Sequence, residues 1–291
     1  MLVLSLGKNP KAAVIDAVVK FLLPYEKNCV SLVDRIGRRE VGIFCILGSS
    51  REILGVFSYS SGGQILHCIP DSVRRYDEYL ALLRIYFSTF DLSGLFSVIG
   101  DESGTNLILS AIYLATRKLP SSSQSFLLME HIPGTESAGS GLKIRDGRMR
   151  SVCAGTCSIN LLDPLMVLQE SYEREEVLLD NQRFNPLASK FIMKKAISEN
   201  NVYAAFFDNR IVAKGAINAT GLNCVQLGGV FTVPSFRKNG FAEFLIKRIV
   251  AEKRAAGKRV VLFVKPKNIA ARTLYKRCGF SDFGTFKISY Y

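Results

Sequence analysis

Apolar residues recur with helical spacing in some stretches of the chain and form short runs between turn residues in others. In the first 130 residues, helical spacing predicts helices over 11–23, 73–86 and 102–116. Glycine, serine and charged residues divide the rest of this half into short apolar segments typical of strands. The predicted strands are 29–33, 41–47, 53–58, 64–69, 95–99 and 124–129. The first half is therefore expected to be mixed α/β.

The second half contains related elements in a similar order. Residues 163–179 and 185–198 are predicted helices, and 202–207 with 211–219 form a predicted hairpin. The elements that follow are strand 224–233, helix 241–256, strand 260–264, helix 269–277 and strand 283–290. Residues 64–129 show the same strand–helix–strand–helix–strand order. This indicates an internal duplication, although two unrelated α/β domains can share such an order.

Composition divides the chain into three parts. Residues 132–160 are rich in Gly, Ser, Pro and Thr and show little periodicity, which is typical of a connection between domains. We therefore expect an N-terminal domain over 1–131, a linker or first strand over 132–160, and a second domain over 161–291.

The net charge of +13 is concentrated in the second half. Residues 131–291 carry 25 Lys or Arg against 13 Asp or Glu, whereas residues 1–130 carry 13 against 12. An anionic partner is therefore expected to bind the second half, and nucleic acid, acidic lipid and a polyphosphate cofactor all have the right sign. The basic residues are dispersed, with no aromatic-interleaved RNA motif and no recognition helix, which argues against nucleic acid.

Cysteine and histidine usage excludes several kinds of chemistry. The seven cysteines are odd in number and irregularly spaced, which favours free thiols in a reducing, cytoplasmic compartment. With two histidines, no G-x-S-x-G elbow and no second Cys/His pair beside Cys153 and Cys157, neither a serine triad nor a metal site is expected. Charges interrupt every apolar run before the ~20 residues of a spanning helix, so no membrane segment is expected.

The most informative segment follows predicted strand 224–233. It reads Arg237-x-x-Gly240-x-Ala242 and opens a predicted helix. Unpaired N–H groups of the loop and of the first helical turn converge there at the positive end of the helix dipole, which favours an anion. Gly240 allows a close approach that a side chain would block, and Arg237 and Lys238 add positive charge. The segment is therefore predicted to be an anion-binding cradle.

This loop resembles the R/Q-x-x-G-x-G/A pyrophosphate loop of the GNAT superfamily of acyl-CoA-dependent N-acetyltransferases. A second segment, Asn268-Ile-Ala-Ala-Arg-Thr-Leu-Tyr275-Lys-Arg-Cys-Gly279-Phe280, is similar to the N-x-x-A-x-x-L-Y-x-x-x-G-F element of that family. The resemblance covers about residues 160–291. The segment 172–179 also resembles a helix of a subgroup whose N-terminal half is a degenerate second copy of the fold. The implied fold is α/β (α+β), with two tandem GNAT-like domains, each a mixed, mostly antiparallel twisted sheet flanked by helices.

The resemblance also implies roles for individual residues. Acetyl-CoA is the implied cosubstrate, with its pantetheine arm in a gap where strand 224–233 splays from strand 260–264, and Gly228-Gly229 are placed to start the splay. An amine attacks the thioester directly, and Tyr275 donates a proton to the departing CoA thiolate. The implied cofactor-binding residues are Phe231, Thr232, Val233, Arg237, Lys238, Asn239, Gly240, Phe241, Ala242 and Asn268.

Structural alternatives remain open for several of these residues. Tyr275 is also suited to a core position, Asn268 to capping the helix that follows it, and Arg237 with Lys238 to a solvated loop. The general base is unassigned, because strand 224–233 contains no glutamate, whereas many relatives have one there. The candidates nearest to the acceptor cleft by topology are Glu173, Glu175 and Glu176. These residues also fit an exposed acidic face, on which Glu170 and Arg174 form an i,i+4 pair.

The N-terminal half lacks the cradle. Its corresponding loop reads Pro70-Asp71-Ser72, and the carboxylate of Asp71 would repel a pyrophosphate. If the fold is duplicated, this copy has lost CoA binding and either walls the acceptor cleft or mediates homodimerisation.

Three functions are compatible with the sequence. The first is an N-acetyltransferase that moves an acetyl group from acetyl-CoA to an amine, whose identity the sequence does not reveal. The second is a catalytically inactive acyl-CoA-binding sensor, which the missing strand glutamate keeps open. The third is a basic nucleic-acid-binding protein, which the dispersed charges disfavour.

Overall fold

The computed structural model describes residues 1–7, 10–40, 42–135, 152–178 and 183–291. Strands and helices follow one another in both halves, as the apolar pattern predicts. The strands are β1 Leu2–Ser5, β2 Gly42–Leu47, β3 Ile53–Tyr59, β4 Gln64–Cys68, β5 Ser97–Asp101, β6 Ser122–His131, β7 Val152–Thr156, β8 Val202–Phe207, β9 Arg210–Thr220, β10 Cys224–Thr232, β11 Arg259–Val264 and β12 Phe280–Tyr290. The helices are α1 Ala12–Leu22, α2 Val30–Gly37, α3 Tyr76–Thr89, α4 Glu102–Thr116, α5 Leu162–Tyr172, α6 Pro186–Ser198, α7 Phe241–Ala255 and α8 Ile269–Arg277.

The described strands form one sheet of twelve, in the order β1-β2-β3-β4-β5-β12-β6-β11-β10-β9-β8-β7. Neighbouring strands are antiparallel except at two places, β4 with β5 and β10 with β11, which are parallel. Each parallel pair is connected by a helix, α3 in the first half and α7 in the second. The expected mixed and mostly antiparallel sheet is confirmed.

The two halves exchange their last strands. Strand β12, at the end of the second half, lies between β5 and β6, and β6, at the end of the first half, lies between β12 and β11. Phe263 of β11 stacks at 5.2 Å on Phe286 of β12 and meets Phe126 of β6 edge-on at 4.9 Å. One continuous sheet therefore spans both halves. The three-part division of the chain stays a prediction, because residues 136–151 of its linker lie outside the described residues.

Helices cover both faces of the sheet, because alternate strand residues point to opposite sides. In β2, Phe44 and Ile46 pack in a core with α3 and α4, whereas Ile43 and Cys45 pack in another with α1 and α2. In the second half, α7 packs with sheet residues in one core. Helices α5 and α6 pack with different sheet residues in another core. Within the described residues, every helix is too short or too polar to cross a bilayer.

The predicted strand at 29–33 is wrong, because these residues begin helix α2. The run Cys29-Val-Ser-Leu-Val33 is apolar enough for a buried strand, but a short apolar run does not distinguish strand from helix. The buried residues Val30, Val33 and Ile36 recur every three positions, and this is the spacing of one helix face. The other predicted elements lie within a few residues of observed ones, and β1 was not predicted.

A buried carboxylate of the first half contacts the turn before β10 in the second half. Glu26, in the turn between α1 and α2, is 1% exposed. Its oxygens accept hydrogen bonds from the N–H groups of Asn223, at 2.9 and 3.1 Å, and Cys224, at 3.1 Å. A Cβ atom on Gly221 would lie 2.0 Å from the same carboxylate, so glycine is required there. The first half thus caps the turn between β9 and β10.

Replacing Glu26 with alanine should destabilise the protein by roughly 2–4 kcal/mol, because buried backbone N–H groups of the second half lose their acceptor. Urea denaturation followed by circular dichroism measures this. Glu78→Ala is the control, because it removes an exposed carboxylate that pairs, among the described residues, with Arg75 three positions before it, and it should leave the unfolding midpoint nearly unchanged. Equal effects of the two changes would show that the cap does not hold the halves together.

Candidate active site

The site begins where two parallel strands separate. Strands β10 and β11 are paired from Cys224 opposite Arg259 to Leu227 opposite Leu262, and no further. At this point β10 has a bulge in its pairing with β9, between Gly228 and Phe231. Gly229 has φ of +60°, which non-glycine residues rarely adopt. The bulge expected at Gly228-Gly229 is thus observed, and it opens a gap on the β11 side of the strand.

An anion cradle stands at the outer end of this gap. Gly240 caps the start of helix α7 with φ of +89°, and the fifteen-residue helix directs its positive dipole end at the loop. Within the described part of the chain, the backbone N–H groups of residues 238–242 donate no hydrogen bond. These free donors can bind the oxygens of an anion.

A cavity of about 550 Å³, which we call the cofactor cavity, joins the gap and the cradle. Most of the cofactor-binding residues predicted from sequence line it, together with Tyr275. They are Phe231, Thr232, Arg237, Lys238, Gly240, Phe241, Ala242 and Asn268. Val233 and Asn239 do not line it. The N–H of Val233 donates to Val212 and its carbonyl accepts from Phe236, so its backbone groups are already bonded.

Two glutamates of the turn after α5 contact the predicted cofactor residues. Glu175 pairs with Arg237 at 2.7 Å, and Arg237 also donates to the carbonyl of Thr232 at 3.1 Å. Asn268 caps α8 by accepting from Ala271, as the structural alternative had it, and donates its amide to Glu176 at 3.0 Å. The candidate bases Glu175 and Glu176 therefore border the cofactor cavity.

Two nearby acidic residues, Glu173 just after α5 and Glu170 within it, point elsewhere. Glu173 accepts hydrogen bonds from Gln169 at 2.8 Å and Ser189 at 2.5 Å. Glu170 pairs with Arg174 at 2.7 Å, as expected for an exposed i,i+4 pair. Neither residue lines the cofactor cavity.

Tyr275 is buried yet lines the cavity. Its ring packs edge-on against Phe280 at 5.8 Å, so the residue is at once part of the core and part of the cavity wall. Burial raises the pKa of Tyr275 well above its ordinary value, and the neighbouring Tyr172 raises it further. The hydroxyl is therefore protonated at neutral pH and able to donate a proton.

A second cavity of about 550 Å³ lies on the other side of the bulge. Gly229 lines this second cavity, whereas the next residues, Val230 and Phe231, line the first. Tyr172 lines the second cavity as Tyr275 lines the first. The bulge of β10 thus contributes residues to both cavities.

Lys214 is the unexpected residue of the second cavity. It lies on β9 opposite Phe231, and its side chain is 2% exposed. Its Nζ donates to the carbonyl of Gly229 at 2.9 Å and lies 4.3 Å from the ring centre of Tyr172. Burial lowers the pKa of Lys214 to about 7, and Glu173 opposes the shift.

Sequence reasoning missed Lys214 and Tyr172, although the lysine carries a signal. Lys214 is the single charged residue in the apolar stretch 211–217. A charge in the middle of a buried strand is costly unless it serves a purpose, so its position alone marks it. Tyr172 carries no comparable signal, because its place beside Lys214 depends on how α5 packs on the sheet.

The comparisons with known proteins agree with this geometry. Residues 165–280 match the sequence model of the Acetyltransferase (GNAT) family. A GNAT-family acetyltransferase from Colwellia psychrerythraea is 10% identical, with both chains fully covered and a TM-score of 0.58. A tandem GNAT protein from the clavulanic acid biosynthesis pathway is 8% identical over 99% of this chain and 97% of that chain, with a TM-score of 0.62. A GCN5-related N-acetyltransferase from Sphaerobacter thermophilus is 13% identical over 100% and 96%, with a TM-score of 0.55.

A search of curated protein sequences finds no match. The family-model match at residues 165–280 nevertheless spans the bulge of β10, the cradle and α8. The chain as a whole has the fold of tandem GNAT proteins. That the N-terminal half is a degenerate copy stays a prediction, with which the matching orders β4-α3-β5-α4-β6 and β10-α7-β11-α8-β12 agree.

Lys214 should make stability depend on pH. Between its folded pKa of about 7 and the ordinary lysine value of about 10.4, the unfolded chain binds more protons, so stability rises with pH through this window. Replacing Lys214 with methionine keeps the apolar stem and removes this dependence. The melting temperature of the variant, relative to wild type, should therefore be higher at pH 6 than at pH 9.5. A difference that does not change with pH would mean that Lys214 is not buried as described.

Proposed function

We propose that the protein is an acyl-CoA-dependent N-acyltransferase that moves the acetyl group of acetyl-CoA to an amine by direct attack. The observation that carries this proposal is the cavity between β10 and β11, which ends at the free N–H groups of residues 238–242. A pyrophosphate fits donors at a helix start with Arg237 and Lys238 beside them. A pantetheine arm fits the gap, because the freed edge of β10 has unpaired backbone groups facing it.

The chain's own residues then have defined tasks. Acetyl-CoA supplies an acetyl group activated as a thioester. The cradle holds the pyrophosphate, and Arg237 exchanges its partner Glu175 for a phosphate oxygen. The edge of β10 from Val230 to Thr232 holds the arm in the gap. Tyr275, protonated at neutral pH, donates its proton to the departing sulfur.

A catalytically inactive acyl-CoA sensor is the second candidate. It would use the same cavity, and the observation in its favour is that β10, Cys224–Thr232, contains no glutamate. Release of free thiol from acetyl-CoA with an amine separates the two, because only the enzyme produces it. The seven cysteines are free thiols, which supports a reducing compartment such as the cytoplasm. Homodimerisation stays a prediction.

The cradle is tested by replacing Gly240 with aspartate. The substitution places a side chain at φ of +89° and a carboxylate beside the anion site, so CoA should no longer raise the melting temperature as it does for wild type. Gly257→Asp is the matched control, since Gly257 ends the same helix with φ of +75° and open space around it. The control should keep the CoA shift. No shift in wild type at millimolar CoA would overturn both candidate functions.

The proton donor is tested by replacing Tyr275 with phenylalanine, which removes only the hydroxyl. Turnover should fall by about 10²–10⁴-fold while CoA affinity stays nearly unchanged. Thiol release from acetyl-CoA with a panel of amines measures turnover, and calorimetry measures affinity. Tyr290→Phe removes a hydroxyl from β12, outside both cavities, and should leave turnover at the wild-type level. Equal turnover of wild type and Tyr275→Phe would remove Tyr275 from the mechanism but not the acyltransferase itself.

A further inference from the structure

The second cavity is built by both halves of the chain. From the first half, α2 contributes Asp34 and Arg35 and the residues after it contribute Arg38 and Glu40, and the rest of the wall comes from α5, α6 and the residues that follow it, β8, β9 and β10. Arg38 donates to both oxygens of Glu199, which follows α6, at 2.7 and 3.1 Å. The volume of about 550 Å³ is that of a small-molecule site.

The amine of Lys214 is held in this wall with few partners. Alternate residues of a strand face opposite sides, and the neighbouring Gly215 faces Ile249 and Leu245 of α7. Lys214 therefore faces the other side, toward α5. An ammonium has three N–H donors, and among the described residues Nζ has one hydrogen-bond acceptor, the carbonyl of Gly229. A neutral amine, with fewer donors to satisfy, suits this place at least as well as the charged form.

The charges around Lys214 leave its protonation balanced. Burial disfavours its charged form, whereas the carboxylate of Glu173 and the ring of Tyr172 favour it. The charged residues that line the same cavity from α2 and α6 are mostly paired with one another, as Arg38 with Asp34 and Glu199, and Lys195 with Glu40. Arg35, which also lines the cavity, has no ion-pair partner among the described residues.

We propose that the second cavity binds the acceptor, a small primary amine, and that Lys214 is the general base that removes its proton. This rests on the proposed acyltransferase function, since it places the acceptor across the bulge from the thioester. Gly229, which accepts a hydrogen bond from Lys214, lines the second cavity, and the next residue, Val230, lines the first, so both proposed sites use the same bulge of β10. Lys214 thus acts as the general base, a role for which β10 contains no glutamate.

The proposed step balances as follows. The acceptor enters as R–NH₃⁺ and gives one proton to the neutral amine of Lys214. The nitrogen lone pair forms a C–N bond to the acetyl carbon, and the C–S bond breaks with its electron pair leaving on sulfur. The sulfur takes the hydroxyl proton of Tyr275, and the second proton that the nitrogen loses as the amide forms goes to the tyrosine oxygen and restores its hydroxyl. Lys214 returns its proton to solvent, so the products are an amide, free CoA thiol and one proton.

The pH dependence of turnover tests this role. In wild type, kcat/KM should rise through an apparent pKa near 7. In Lys214→Met, turnover at pH 7 should fall by about 10²–10⁴-fold, and the rise should move toward the acceptor's own pKa, near 10 for a primary amine. CoA binding should persist, because Lys214 does not line the cofactor cavity. A rise near pH 7 that survives in the variant would overturn the proposal.

Lys253→Met is the matched control. Its Nζ also lies over a tyrosine ring, that of Tyr203 at 5.3 Å, but the residue lines neither cavity. Its kcat/KM and pH profile should equal those of wild type. A loss as large as that of Lys214→Met would show that removing any ring-stacked lysine slows turnover, and would overturn the assignment.

A measurement that does not depend on turnover distinguishes a failure of this inference from a failure of the proposed acyltransferase function. In protein labelled with [ε-¹³C]lysine, the NMR signal absent from Lys214→Arg belongs to Lys214, and its shift against pH gives its titration. A midpoint near 7 supports the base, and an amine that stays charged to pH 9 overturns it whatever the turnover. If the midpoint is near 7 but no amine in the panel releases thiol, the acyltransferase function fails, and this inference fails with it.

Discussion

The interruption of one parallel strand pair is the constraint on which the site depends. Parallel strands keep exchanging hydrogen bonds unless the backbone of one is diverted. Gly228 and Gly229 divert β10 while it remains paired with β9, so the gap opens only toward β11. The cofactor cavity occupies that gap, the cradle of α7 stands at its end, and the carbonyl turned out by the bulge is the one that Lys214 binds.

The first half of the chain supports this site without containing a cradle of its own. Glu26 caps the turn from which β10 starts, and α2 with the residue after it contributes Asp34, Arg35 and Arg38 to the wall of the second cavity. Both contacts come from one short stretch, residues 26–38. The first half has an acidic loop where the second half has its cradle. It therefore contributes to the wall of the second cavity and caps the turn before β10.

How much of the site could be predicted from sequence depends on whether its residues are neighbours in the chain. The cradle and α8 are local motifs, in which Gly240, Asn268 and Tyr275 stand at fixed spacings from the start of a helix, so their positions could be predicted. The second cavity unites residues about 180 positions apart, such as Arg35 and Lys214, and no local pattern encodes that meeting. The apolar run at 29–33 also predicts a strand, so the sequence pattern does not indicate the helix that contributes to the cavity wall.

The exchange of β6 and β12 has a consequence for how the protein is made. Residues 280–290 are synthesised after every other described strand, yet they form the strand that lies against β5 and β6 of the first half. The N-terminal half, although synthesised earlier, keeps an open edge at β5 until β12 has left the ribosome. Its sheet closes only then, so a nascent chain that stops before residue 280 leaves neither half with its full set of neighbouring strands.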